Sequence, residues 1–298
     1  SAQRTLFPKA REGGAFLLCD GSQEHPLARH LAERPDDFVV RLIHPDFETH
    51  PRFAPLLVRL TGAHDPLLDA SVALAVGQVA DMALRSRQVG GWIFDNRDQE
   101  LLAKHLSARL TIQHPEGKAR LRFHDPRVMA QLELILTQGQ LAWFVDGLEA
   151  WWYMDEEATL QELSRPQVER PVARLRANDA QWQALQRTGA VNEVVRALRM
   201  TGMAYRTEWL KQAHTLLERA HERGHADLRD QVAYAVHALW LHPQFDTHPA
   251  VRRALAAARE REAGFCVAMS GFNEVALDGI AQDLEREQED DRKGHQAG

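Results

Sequence analysis

Short apolar runs alternate with stretches of helical period through the first half of the chain. Ala15-Phe16-Leu17-Leu18-Cys19 ends at Asp20-Gly21, the pattern of a buried strand stopped by a turn. Leu27 to Leu31 predicts a short helix, and Phe38 to Ile43 a second strand. Leu56 to Leu60 predicts a third strand, entered through Pro55 at a position where a missing N–H is tolerated. Val72, Val76, Val79 and Ala83 recur at helical spacing, and Trp92-Ile93-Phe94 predicts a strand entered through Gly90-Gly91. Leu102, Leu106 and Leu110 stack on one helix face. A hairpin is predicted from Leu110-Thr111-Ile112 and Leu121-Arg122-Phe123, joined through Pro115 to Lys118. Val128, Leu132, Ile135 and Leu136 give another amphipathic helix, and Ala150 to Met154 a closing strand. Strands interleaved with helices predict an α/β domain over residues 14–155, a mixed sheet with flanking helices.

Residues 156–176 are polar and carry Pro166 and Pro171, as a linker would. Beyond them the strand signal stops. Helical stripes follow: Trp209, Leu210, Ala213, Leu216, Leu217 and Ala220, then Val232, Val236, Leu239 and Trp240, then Phe265, Met269, Phe272, Ala276 and Ile280. These predict an all-α domain over 177–284, a bundle of five or six helices, and a flexible charged tail over 285–298.

One segment occurs twice. His44-Pro45-Asp46-Phe47-Glu48-Thr49-His50-Pro51 is echoed by His242-Pro243-Gln244-Phe245-Asp246-Thr247-His248-Pro249. Strands flank the first copy and helices the second, so no whole supersecondary unit recurs and the echo reads as shared turn chemistry. In the second copy Thr247 is placed to cap a helix with Pro249 in its first turn.

Composition narrows the functional classes. At 44% hydrophobic and 26% charged, 298 residues form a globular core with no need of a staple. The net charge of -6, without a block of lysine or arginine, disfavours nucleic acid as a partner. Ser1-Ala2-Gln3-Arg4-Thr5 has no leader-like apolar stretch, and no eighteen apolar residues run together, so the expected location is the cytoplasm, off the membrane.

Candidate chemistry is sparse. Cys19 and Cys266 sit in apolar runs, where a thiol packs as a small hydrophobe and burial works against a thiolate. The His44/His50 and His242/His248 pairs are six apart, unlike ligands on one helix face. The adjacent His124-Asp125 pair raises a metal-dependent hydrolase as an alternative, but the further spaced ligands are missing. A structural reading accounts for every residue there: Phe123 enters the core at a strand end, Asp125 caps the next helix, and Pro126 takes its first turn. Arg122 and Arg127 are available to acids, on this chain or a partner. Phosphate-binding loops and nucleophile elbows are absent, so no catalytic, cofactor or metal residues are assigned. Strand alternation sends Trp151 and Trp152 to opposite faces, leaving one of them a candidate partner contact.

Several of these features, in order, resemble one family. They are the strand ending in Cys19-Asp20-Gly21, the Pro55 to Leu60 strand, the helix with Lys104-His105-Leu106, and above all Leu121-Arg122-Phe123-His124-Asp125-Pro126-Arg127-Val128. Together they look like the N-terminal domain of the adaptor chaperones that load effectors onto the type VI secretion spike, whose signature is an F-R-x-x-D-P-R-like stretch before a helix. Here the arginine precedes Phe123 and His124 fills the intervening place. The likeness covers about residues 14–155; the helical half matches no motif. It implies a non-catalytic protein whose partners are an effector toxin and the C-terminal region of the VgrG spike protein. Phe123, Asp125, Pro126 and Arg127 carry over as motif positions, chiefly structural. An immunity-type protein that inhibits a toxin without meeting the spike is the other binding alternative.

Overall fold

Ala15 to Cys19 forms the spine of the first unit because both faces of that strand are covered. Phe16 and Leu18 enter one apolar layer, and Ala15, Leu17 and Cys19 the other. The computed structural model describes residues 14–21, 25–84, 86–168 and 172–296 and divides into units 1–185 and 186–298. In chain order the first unit begins β1 (Gly14–Cys19), α1 (Ala28–Ala32), β2 (Val39–Arg41), β3 (Leu56–Leu60), α2 (Pro66–Ala80) and β4 (Val89–Asp95). It continues α3 (Gln99–Arg109), β5 (Thr111–His114), β6 (Gly117–Arg120), α4 (Pro126–Ile135), α5 (Gln138–Phe144), β7 (Ala150–Met154) and β8 (Leu160–Glu162).

The main sheet has the order β2-β3-β1-β4-β7-β8, with every recorded pair antiparallel. The expected sheet with flanking helices is present. Alternation sorts each strand between two layers. Leu57, Ile93, Trp151 and Tyr153 join Phe16 under α3, α4 and α5, while Val58, Trp92, Phe94 and Met154 join Leu17 under α2. Each fully buried side chain of this size contributes about 1.5–3 kcal/mol, so the two layers hold the unit together. Gly91 is required where β4 meets β7. Its φ is 135°, and a Cβ there would lie 2.2 Å from the Trp152 carbonyl oxygen.

Several boundaries differ from the pattern-based expectation. The hairpin is β5–β6, with a turn at Pro115-Glu116, so Leu121 to Phe123 lies past the strand. The apolar Leu121 and Phe123 belong to the core of a turn-to-helix junction, and apolar residues alone do not distinguish the two. The buried face of α2 is Leu67, Leu68, Ser71, Ala75, Gln78 and Val79, leaving Val76 exposed and Ala83 beyond the helix. Ser71 sets that rotation: its hydroxyl accepts from the Trp92 indole N–H at 3.0 Å. Segment 156–176, expected as a linker, supplies β8 and places Leu163 and Leu175 in the core. Pro171 and Ser1 to Thr5 lie outside the described residues.

The second half is helical, as expected: α6 (Asp179–Met200), within which the unit division falls, then α7 (Glu208–Glu222), α8 (Leu228–Trp240), α9 (Pro249–Glu260), α10 (Phe265–Met269) and α11 (Glu274–Gln296). The α7 stripe is buried at all six expected positions. On α8 the buried face is instead Gln231, Tyr234, Ala235 and Ala238. Tyr234 sets it, donating its hydroxyl to Asp246 at 2.9 Å and packing against Phe245 and Phe265. The Phe265 to Ile280 stripe is broken into α10 and α11, and Leu277 rather than Ala276 is buried. Residues 285–296 continue α11 as helix rather than a tail; Glu, Arg, Lys and Gln propagate a helix already nucleated.

The repeated His-Pro segment has a local physical cause. His25, His44, His114, His242 and His248 each precede a proline, and each accepts through Nδ1 from the backbone N–H two residues on, at 3.1–3.3 Å. The imidazole does here what aspartate does at other caps, and proline starts the turn. His248, not Thr247, therefore caps α9, while the Thr247 hydroxyl closes onto the Gln244 carbonyl.

Candidate functional site

The Leu121 to Val128 junction is built as scaffolding. Phe123 is fully buried and meets Phe144 and Trp151 edge-on at 5.4 and 5.5 Å. Asp125 caps α4, accepting from the Arg127 N–H at 3.1 Å, and Pro126 occupies the first turn. Arg127 folds back on the same carboxylate through Nε at 3.0 Å and a terminal nitrogen at 2.7 Å. Both side chains are nearly sealed from water. The motif positions Phe123, Asp125, Pro126 and Arg127 are thus consumed by the fold.

Arg122 and His124 alternate with them and point elsewhere. They line a groove of about 380 Å³ with Arg120 on one wall, and the turns at 45–53 supply Asp46, Phe47, His50 and Phe53 on the other. Asp20, just past β1, completes it. Arg120 lies 4.6 Å over the Phe47 ring and 3.8 Å from Asp46. His44, beneath, bonds Thr111 at 3.0 Å and fixes the turn to β5. Residues far apart in sequence meet here only because β1, the turns and the end of the hairpin converge.

The other sequence candidates stand apart from this groove. Trp151 is 1% exposed and belongs to the core, so it presents no surface; Trp152, on the opposite face, is partly buried against the second layer. Cys19 is buried, which, with Asp20 beside it, pushes its thiol up to about 12, and both cysteines are free. Among the described residues no group of three or more His, Cys, Asp or Glu is placed to hold a metal ion. No helix among them is long and apolar enough to cross a membrane.

His124 is buried with an unpartnered Nδ1, and burial, reinforced by Arg122, pushes its pKa down to about 4. His105 falls to about 3 through burial, then Arg109 and Arg97. Both are neutral in the folded unit but titrate near 6.5 when free. Acid therefore favours the unfolded chain. Their contribution is complete above pH 6.5 and is lost as pH falls from there toward the folded values. At about pH 5 His124 costs on the order of 2 kcal/mol, and the partly exposed His105, screened by solvent, less. The urea midpoint of the first unit is expected to fall between about pH 7.5 and pH 5. An unchanged midpoint contradicts the assignment.

The first unit is thus a sheet domain covered on both faces, with its signature junction internal and a mixed-charge groove at its surface. Residues 15–142, from β1 into α5, match the family model described as a domain of unknown function (DUF4123). No curated protein and no solved structure matches the chain. The groove was only half legible in sequence. Arg122, the Asp20 turn and the first His-Pro turn were visible separately, whereas Phe53 and Arg120 carried no signal of their own.

Proposed function

We propose that this chain is a cytoplasmic adaptor chaperone that binds a type VI secretion effector and hands it to the C-terminal region of the VgrG spike protein. The match of residues 15–142 to a family associated with such adaptors carries the reading. The use of the signature residues in capping and packing is consistent with it, since a binding protein needs them only as scaffold. The hydrolase alternative gains nothing from the junction: Asp125 is bound by Arg127 and the α4 N-terminus. Handover requires affinity that is surrendered, so a modest, partly polar interface suits the role.

Co-expression of the full chain with candidate effector toxins and VgrG spike proteins, any encoded beside its gene first, tests the proposal. Capture of the toxin and, with it or in turn, of the spike is the expected result. Failure to capture either rules the adaptor out, and capture of the toxin alone with loss of its activity points to an immunity protein.

A further inference from the structure

We propose that the groove between the 45–53 turns and the Arg120 to His124 segment seats an acidic segment of a partner protein, a carboxylate on Arg122 and an apolar neighbour on Phe53. The inference deepens the adaptor reading and rests on it for the identity of the partner.

Charge carries it first. Arg122 is exposed and its guanidinium makes no ion pair or hydrogen bond among the described residues, although its backbone carbonyl accepts from the Asp125 N–H. Arg52, whose guanidinium lies 5.0 Å over the Phe53 ring, also makes no ion pair among them. The acids of the groove are already engaged: Asp46 faces Arg120 at 3.8 Å and His44 at 3.6 Å, and Asp20 is not free. The unmatched charge is therefore positive, and a guanidinium is best satisfied by a carboxylate.

The walls of the groove point the same way. His124, 6% exposed, forms part of the groove wall beside Arg122. Phe53 is 47% exposed and Ile43, at the same pair of turns, 74%. Apolar side chains beside unpaired arginines are the usual composition of a binding hot spot. A space of about 380 Å³ takes a few side chains, which suits a short segment rather than a whole domain surface.

The probe is a fluorescein-labelled peptide alternating glutamate and leucine, titrated into the full chain beside its glutamine counterpart and a single-stranded oligothymidylate. The acidic peptide is expected to bind, and the glutamine version to bind about tenfold more weakly or worse. Arg122→Glu and Phe53→Ala are each expected to weaken binding by at least about tenfold, while Arg253→Glu in the second unit leaves it unchanged. No binding of the acidic peptide, equal binding of the glutamine peptide, indifference to Arg122→Glu, or tighter binding of the oligonucleotide each overturns the assignment. The two readings fail separately. A toxin or spike complex undiminished by Arg122→Glu removes the groove and keeps the adaptor. Acidic-peptide binding by a chain that captures neither toxin nor spike removes the adaptor and keeps the groove.

Discussion

Phe123→Ala is expected to lower the unfolding free energy of the first unit by about 3–5 kcal/mol. The ring is fully buried at the meeting point of the hairpin, α4 and β7, edge-on to Phe144 and Trp151, which stack on each other at 5.9 Å. Removing it opens a cavity among rings that pack too rigidly to close over it. Phe123→Leu refills part of the volume and is expected to recover roughly half of the loss. Urea unfolding of the two variants measures both numbers. A loss below about 1 kcal/mol for alanine contradicts the packing described.

Asp65 is the second large effect. Its carboxylate, 1% exposed, caps α2 through the Leu67 N–H at 2.9 Å and accepts from the Thr61 N–H and hydroxyl at 2.7 and 2.9 Å. The Arg34 guanidinium binds it from the other side, one nitrogen at 2.8 Å from Oδ2 and the other on Oδ1. Burial alone would raise its pKa, but Arg34 and the N–H groups of Thr61 and Leu67 outweigh that and hold it at about 2. With the folded value depressed, the contribution is present above 3.8 and is lost as pH falls toward 2. Asp65→Asn keeps the shape and strands the nearly buried Arg34 charge, at a cost of about 3–5 kcal/mol. Asp65→Ala also removes the cap, worth a further ~1 kcal/mol. Thermal unfolding at neutral pH orders the three chains wild type, Asn, Ala; equal midpoints would show that the pair contributes nothing.

The strands most legible in sequence were those buried on both sides. β3 and β7 match Leu56 to Leu60 and Ala150 to Met154 residue for residue, because four of the five residues in each are buried and apolar, with only Arg59 of β3 exposed and Trp152 of β7 half-covered. β6 was misplaced for the opposite reason: Gly117 to Arg120 is polar and half-exposed, and the apolar Leu121 and Phe123 beyond it drew the strand too far. α5 carried a readable signal that went unused, the capping box between Thr137 and Gln140. On α8 counting valines selected the wrong face, since Tyr234, with one hydroxyl to satisfy, fixes the helix rotation. The junction was legible residue by residue because capping is local. The groove was not, because Asp20, Phe53 and Arg122 are brought together only by the sheet and its turns.

The neighbouring indoles of β7 have an optical consequence. Trp151 sits in one layer and Trp152 against the other, one rung apart on a single strand. With the other five of the seven tryptophans replaced by phenylalanine, keeping Trp151 or Trp152 alone leaves a fluorophore that reports one side of the sheet, and iodide reaches the half-covered ring before the sealed one. Whether the two layers melt as one or in succession can then be read from emission.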